Sequence, residues 1–235
     1  MKKDNVMSAV LGLVVGLVVG FVFANSVNKS AYDKPSSAPT AAGSTQNGNP
    51  ALPPDHPPLG TSAGGDQPQS GPVPQVMEAI DKAKKDPQNY EAQMTAADLY
   101  YQIQRYDDAA KFYEAANKLK PADSEPMIKA GNAYFDAEKY EQAEKWYVQA
   151  LQKEPKNINV RTDLGLTFFL RTPRDIDRAI KEYRTSLAID PEHEVTLQNL
   201  ALAYKESGDK ENFRSTIDKL KKVNPSNPVV QKSSE

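Results

Sequence analysis

The sequence of 235 residues contains no cysteine, two histidines and one tryptophan. The lack of cysteine excludes a disulfide framework, a thiolate metal site, a cysteine nucleophile and a lipid-acceptor cysteine. The histidines, His56 and His193, are far apart in the chain, and neither has a second pair of metal ligands beside it. We therefore predict no metal site, no cofactor and no functional role for either histidine.

The sequence also lacks the motifs that usually mark an enzyme. It has no glycine-rich phosphate loop, no nucleophile elbow and no His-Glu-x-x-His zinc pair. Adjacent carboxylates such as Asp107 and Asp108 lie at a predicted helix start, where they interact favourably with the helix dipole. We predict that the protein is not an enzyme.

Charge of one sign is not concentrated along the chain. The 29 lysines and arginines are interleaved with 31 aspartates and glutamates, which gives a net charge of -2. A nucleic-acid-binding protein needs a basic patch or stripe, so we expect no nucleic-acid partner.

Proline, in contrast, is frequent and regularly spaced. Five of the 18 prolines are separated by 34, 34, 36 and 34 residues, a spacing typical of a repeated helical hairpin. These prolines are Pro87, Pro121, Pro155, Pro191 and Pro225.

Small and large residues alternate at fixed positions of this period. Stacked hairpins need small residues where two helix backbones approach closely, with large residues filling the space between. The small positions are Ala97, Gly131, Gly165 and Ala201, then Ala109, Ala143 and Ala179; the large positions are Tyr100, Tyr134, Phe168 and Tyr204, then Tyr113, Tyr147, Tyr183 and Ile217.

Segments such as residues 130–134 (Ala-Gly-Asn-Ala-Tyr) and 140–143 (Tyr-Glu-Gln-Ala) resemble the tetratricopeptide repeat family. The resemblance implies an all-α, right-handed superhelical solenoid of stacked helical hairpins. We assign this domain to residues 76–224, and we expect a flexible tail at 225–235. The domain divides into a capping half repeat at 76–86 and full repeats at 87–120, 121–154, 155–190 and 191–224.

The third repeat is two residues longer than the others, and we place the insertion between its two helices. Thr172 and Pro173 are predicted to be the N-cap and the first residue of the second helix, with Asp175 in the first turn. The insertion would lengthen a loop without interrupting the stack, or form a contact loop for a partner.

Residues 6–24 carry no charge and follow a short basic tail at 1–5. A helix of this length spans about 28 Å, close to the hydrocarbon thickness of a bilayer. We predict a retained transmembrane helix; the alternative is an export signal cleaved after Ala24. The basic tail favours a cytoplasmic amino terminus. The protein would then be a single-pass signal-anchor protein of the bacterial inner membrane, with its repeats in the periplasm.

Small residues recur at every fourth position of this predicted helix. Such a stripe favours close association of transmembrane helices, which suggests a homo-oligomer or a second membrane helix as partner. The alternative is that glycine is simply common in membrane helices. The stripe consists of Ser8, Gly12, Gly16, Gly20 and Ala24.

Residues 25–75 contain ten prolines, six glycines and one aromatic residue, Tyr32. This composition predicts a disordered proline-rich linker, because too little apolar surface can be buried. Residues 53–59 resemble polyproline and could dock in an aromatic groove, although the composition favours a spacer.

In the tetratricopeptide family, the first helix of each hairpin lines the concave face, which implies a groove for a protein or peptide. We predict an aromatic ladder of Tyr101, Phe135 and Phe169 with acidic edges; the alternative is that these rings pack between repeats. The predicted groove residues are Glu91, Met94, Asp98, Tyr101, Gln102, Glu125, Ile128, Asn132, Phe135, Asp136, Asn159, Thr162, Leu166, Phe169 and Leu170.

Together these features predict a membrane-tethered adaptor or scaffold that binds a protein partner, with a possible role in assembling an envelope complex. One alternative is a structural membrane protein that assembles with itself. Another follows from the similar organisation of bacterial tetratricopeptide subunits of cytochrome c maturation, and would be a factor that holds apocytochrome.

Overall fold

A computed structural model describes residues 74–233. The predicted transmembrane helix at 6–24, its small-residue stripe and the linker at 25–75, except for Pro74 and Gln75, lie outside these residues. Within 74–233 the secondary structure is α-helical, without strands. Among the helices of this part of the chain, none combines the length and the apolar character needed to cross a bilayer.

Ten helices are present between residues 74 and 233, and each packs against the next along the chain. This local packing is the arrangement of a stack of hairpins, as the repeat pattern predicts. The helices are α1 (Pro74–Lys85), α2 (Tyr90–Gln102), α3 (Tyr106–Leu119), α4 (Glu125–Asp136), α5 (Tyr140–Lys153), α6 (Ile158–Leu170), α7 (Ile176–Ile189), α8 (Glu194–Ser207), α9 (Lys210–Val223) and α10 (Pro228–Lys232).

The hairpins share a continuous core. Tyr134 and Trp146 pack against two clusters of buried residues, one drawn from residues 76–133 and the other from residues 127–204. Leu187 and Leu202 likewise join the core of the middle repeats to that of the last repeat. Each repeat therefore depends on its neighbours to bury its apolar surface.

The predicted alternation of small and large residues is confirmed at the helix crossings. A Cβ atom built on Gly131 would lie 2.6 Å from Cε1 of Tyr147, and one on Gly165 would lie 2.5 Å from Cε1 of Tyr183. Both tyrosines are fully buried. Only glycine fits between the two helices at these positions.

A polar residue two positions after each repeat proline lies at the start of a first helix, a regularity that the sequence pattern did not reveal to us. In each case the side chain accepts a hydrogen bond from a backbone N–H of the first turn, which would otherwise lack a partner. The five residues are Asn89, Asp123, Asn157, His193 and Asn227.

The carboxyl-terminal segment differs from the flexible tail that we expected. Residues 228–232 form α10, and Val229 and Val230 are buried against Leu220 of α9. The physical reason is that residues 225–228 repeat the start signal of a first helix, because the Asn227 side chain caps α10 and Pro228 is its first residue. Large Leu220 fills the position that Ala116, Ala150 and Ser186 occupy in the earlier repeats, and α10 covers it.

The insertion in the third repeat also differs from its prediction. Asp175 is the N-cap of α7, which begins at Ile176, so Thr172 and Pro173 lie in the preceding loop. Arg171 holds this loop in place by ion pairs with Asp175 at 2.8 Å and with Glu144 of α5 at 3.2 Å. The stack continues across the longer loop.

Candidate partner-binding face

The predicted groove residues come from the first helices α2, α4 and α6. The structure leaves only some of them accessible. Glu91, Gln102 and Glu125 are exposed. Half-buried members are Asp98, Tyr101, Ile128, Asp136, Asn159 and Leu170, and buried members are Met94, Asn132, Phe135, Thr162, Leu166 and Phe169.

The three rings of the predicted aromatic ladder are not all accessible to a partner. Phe135 is 2% exposed and packs edge-to-face against Tyr140, with ring centroids 5.5 Å apart. Phe169 is 7% exposed, and the Arg174 guanidinium lies 5.3 Å from its ring centroid. For these two residues, packing within the stack is the correct interpretation. Tyr101 remains half-buried.

Two of the predicted groove residues accept hydrogen bonds from core tyrosines. The Tyr113 hydroxyl donates to Oδ1 of Asp98 at 2.6 Å, and the Tyr147 hydroxyl donates to Oδ1 of Asn132 at 2.9 Å. Each acceptor lies 15 residues before its tyrosine. This spacing was visible in the sequence, but our assignment of Asp98 and Asn132 to a groove overlooked it.

The same position is apolar in the later repeats. Leu166 replaces the acceptor in the third repeat, and the buried Tyr183 hydroxyl has no hydrogen-bond partner among residues 74–233. In the fourth repeat the pair consists of Leu202 and Ile217. The acceptor position inside the hairpin is thus polar and hydrogen-bonded in the first two repeats, and it is apolar in the last two.

Asp98 also forms an ion pair across the first two repeats. Nζ of Lys129 lies 3.0 Å from Oδ1 of Asp98 and 3.1 Å from Oε1 of Glu125. Burial alone would lower the pKa of Lys129, but the two carboxylates outweigh burial and raise it. Lys129 therefore stays charged and holds α4 against the acidic edge of α2.

A second contact joins the same two helices. The Tyr101 hydroxyl donates to Oδ2 of Asp136, the last residue of α4. Burial raises the pKa of the Asp136 carboxyl well above its usual range. Tyr101 and Asp136 thus connect neighbouring first helices on the predicted groove side.

Thr162 and His193 also prove to have structural contacts. Thr162 is buried, and its Oγ1 lies 2.7 Å from Oγ1 of Thr196, which links α6 to α8. Nδ1 of His193 accepts from the Thr196 backbone N–H at the start of α8. Within residues 74–233, no group of His, Asp or Glu side chains has the arrangement of a metal site.

Comparisons with known proteins agree with this architecture. Family models described as tetratricopeptide repeats match residues 75–129 and 196–227, and a model described as TPR repeat matches residues 131–170. No curated protein sequence matches the chain.

Several solved structures share the fold. One crystal structure of MamA has 20% sequence identity and a TM-score of 0.59, and the match covers 68% of this chain and 90% of that chain. A second, titled MamA 41-end from Desulfovibrio magneticus RS-1, has 14% identity and a TM-score of 0.56, with 68% and 85% covered. At such low identity the likeness shows the fold alone. The family matches and the stacked hairpins together identify this chain as a tetratricopeptide repeat protein.

Proposed function

We propose that the repeat domain is a protein–protein interaction scaffold, which binds a segment of another protein along the first helices α2, α4 and α6. The observation that supports this proposal most strongly is the mixed character of their accessible residues. Half-buried Tyr101, Ile128 and Leu170 lie on the same helices as the exposed carboxylates Glu91 and Glu125. An extended segment with apolar and positively charged side chains would complement these groups.

The ion pair of exposed Glu91 presents little obstacle to a partner. Glu91 pairs with Lys120 at 3.8 Å, and their side chains are 81% and 51% exposed. Pairs that are so exposed contribute at most about 1 kcal/mol, because water screens them. A cation of the partner can therefore replace Lys120 at small cost.

We further propose that residues 6–24 tether this scaffold to a membrane, with the repeats in the periplasm. The uncharged run of the sequence supports a tether. Assembly of an envelope complex is a finer version of this proposal. The alternatives are a structural protein that assembles with itself and a factor that holds apocytochrome. Release of the full chain from membranes by alkaline carbonate would contradict the tether.

Site-specific photo-crosslinking in intact cells tests the binding face. A photoreactive amino acid at exposed Gln102 of α2 or Glu125 of α4 is expected to crosslink the partner. The matched control is Lys145, which is exposed on the second helix α5 and should give little product.

The identity of the products separates the versions of the proposal. A different protein crosslinked through Gln102 and Glu125 supports the scaffold, whereas a product containing only this chain supports self-assembly. Equal crosslinking from Lys145 would contradict the assignment of the partner to the first helices.

A further inference from the structure

We propose that residues 51–59 of this chain bind along its own predicted groove, across the first helices α4, α6 and α8. The segment reads Ala-Leu-Pro-Pro-Asp-His-Pro-Pro-Leu and lies outside the residues that the structure describes. The composition of the linker favours a spacer, whereas the burial of the groove residues described below favours a bound segment.

One position of the first helices becomes less accessible along the stack. In each of the first three repeats it directly follows a predicted groove residue. The position is exposed at Thr95 of α2, half-buried at Lys129 of α4, 2% exposed at Asp163 of α6 and 1% exposed at Asn199 of α8. The helix α4 lies between two full first helices, whereas α8 is followed only by the five-residue α10. Neighbouring helices therefore do not account for the greater burial of Asn199.

The buried side chains at the base of the groove are polar, and buried polar groups need hydrogen-bond partners. They include Asn132, Asp163 and Asn199, each 2% exposed or less. Oδ1 of Asn132 accepts from the Tyr147 hydroxyl, which leaves the amide nitrogen as the group that can donate to a bound segment. A polyproline helix has no internal hydrogen bonds, so its carbonyls accept from such donors.

The spacing of the segment matches the spacing of the first helices. A polyproline helix has three residues per turn and rises about 3.1 Å per residue, so Pro53, His56 and Leu59 lie on one side about 9 Å apart. Packed helices are also about 9 Å apart. Placing His56 at Asp163 of α6 therefore places Pro53 over α8 and Leu59 over α4.

The side chains that meet in this arrangement are complementary. The His56 imidazole supplies an N–H donor, and a positive charge in mild acid, to the Asp163 carboxylate, a role that our sequence analysis did not assign to this histidine. Leu59 meets Ile128, an apolar residue that α4 leaves half-buried. Asp55 lies on a different side of the polyproline helix and faces solvent.

The segment can reach the groove of its own chain. Residues 60–73 connect it to α1 and span up to about 46 Å when extended. The helix α4 is at most three helix spacings from α1, about 27 Å. Because the segment and the groove belong to one chain, the effective concentration of the segment is high, in the millimolar range for short flexible links.

The effect on partners rests on the function proposed above, whereas the contact within the chain does not. A partner that binds along α4 and α6 has to displace residues 51–59, which lowers its apparent affinity. Replacing Pro53, His56 and Leu59 by serine should therefore increase the yield of partner crosslinked through Gln102 or Glu125.

Maleimide labelling of the full chain tests the proposal, because the sequence has no cysteine and an introduced thiol is the only one. Asn199→Cys places the thiol beneath the proposed segment, where labelling should be slow. Replacing Pro53, His56 and Leu59 together by serine should raise the labelling rate by roughly tenfold, since the thiol then needs no local opening. An unchanged rate would overturn the proposal.

Matched variants make the result specific. Replacing Leu52 and Asp55 by serine alters the other sides of the segment and should keep labelling slow, whereas acceleration equal to that of the first set would contradict the assigned register. Thr95→Cys, at the exposed position of α2, should label rapidly in every background. If Asn199→Cys is unfolded by circular dichroism, Gln198→Cys on the same helix, a residue 2% exposed, takes its place.

Dilution distinguishes the chain's own segment from that of a second copy. Slow labelling should persist on dilution, because the contact is intramolecular. Loss of slow labelling on dilution would assign the segment to a second copy and contradict the proposal. These measurements involve no partner, so their failure would leave the crosslinking test of function intact.

Discussion

Replacing Gly131 by alanine is expected to lower the free energy of unfolding by about 3 kcal/mol, near the upper end for overpacking of a core. The added Cβ would lie 2.6 Å from the ring of Tyr147, which is fully buried and cannot move into solvent. Because α4 and α5 would have to separate, packing of the neighbouring repeats should suffer as well. Urea denaturation followed by circular dichroism measures the loss. Gly165→Ala should behave in the same way against Tyr183.

A double-mutant cycle shows whether the clash causes the loss. In a Tyr147→Leu background the ring is absent, so alanine at position 131 should cost much less than in the wild type. An alanine variant with wild-type stability, or an equal cost in both backgrounds, would contradict the close helix crossing.

Removing the Tyr147 hydroxyl is expected to have the second largest effect. Tyr147→Phe leaves Oδ1 of Asn132, a residue 2% exposed, without the hydrogen bond that it accepts at 2.9 Å. Loss of one partner from a buried pair costs about 1–3 kcal/mol. Thermal unfolding should show a corresponding fall in Tm.

The third repeat provides a matched control. Tyr183 is equally buried, but its hydroxyl has no partner within the described part of the chain, because Leu166 occupies the acceptor position. Tyr183→Phe should therefore leave stability unchanged or raise it slightly. If Tyr183→Phe cost as much as Tyr147→Phe, the hydrogen bond to Asn132 would not explain the loss.

The repeat period and the small residues at helix crossings were predictable because several copies of one unit specify them. Gly131 and Gly165 occupy the same position, and each faces a buried tyrosine. A stacked hairpin requires a small residue at this position, which is Ala97 in the first repeat and Ala201 in the fourth. The repetition of one unit therefore made the fold predictable from the sequence.

Exposure on the predicted groove was harder to predict, because it depends on the neighbouring helices as well as on repeat position. Tyr101, Phe135 and Phe169 share one position, yet Tyr101 is half-buried and the two phenylalanines are buried. Sequence periodicity indicates which side of a helix a residue occupies. It does not give the distance to the next hairpin.

The helix starts were predictable in principle, and we missed them because we compared packing positions rather than polar ones. Alignment at the repeat prolines brings Asn89, Asp123, Asn157 and His193 together. The same alignment includes Asn227, and would have predicted α10 in place of a flexible tail.

The central claim is that a partner protein binds along the first helices α2, α4 and α6. Hydroxyl-radical footprinting of the full chain, alone and with the partner identified by crosslinking, tests this claim most directly. The account predicts that the partner protects Tyr101, Ile128 and Leu170 on the first helices. It predicts no change at Met77 of α1 and Val148 of α5. These side chains are 49% and 38% exposed and lie outside the first helices α2, α4 and α6. Protection of Met77 or Val148, with Tyr101, Ile128 and Leu170 unchanged, would contradict binding along the first helices.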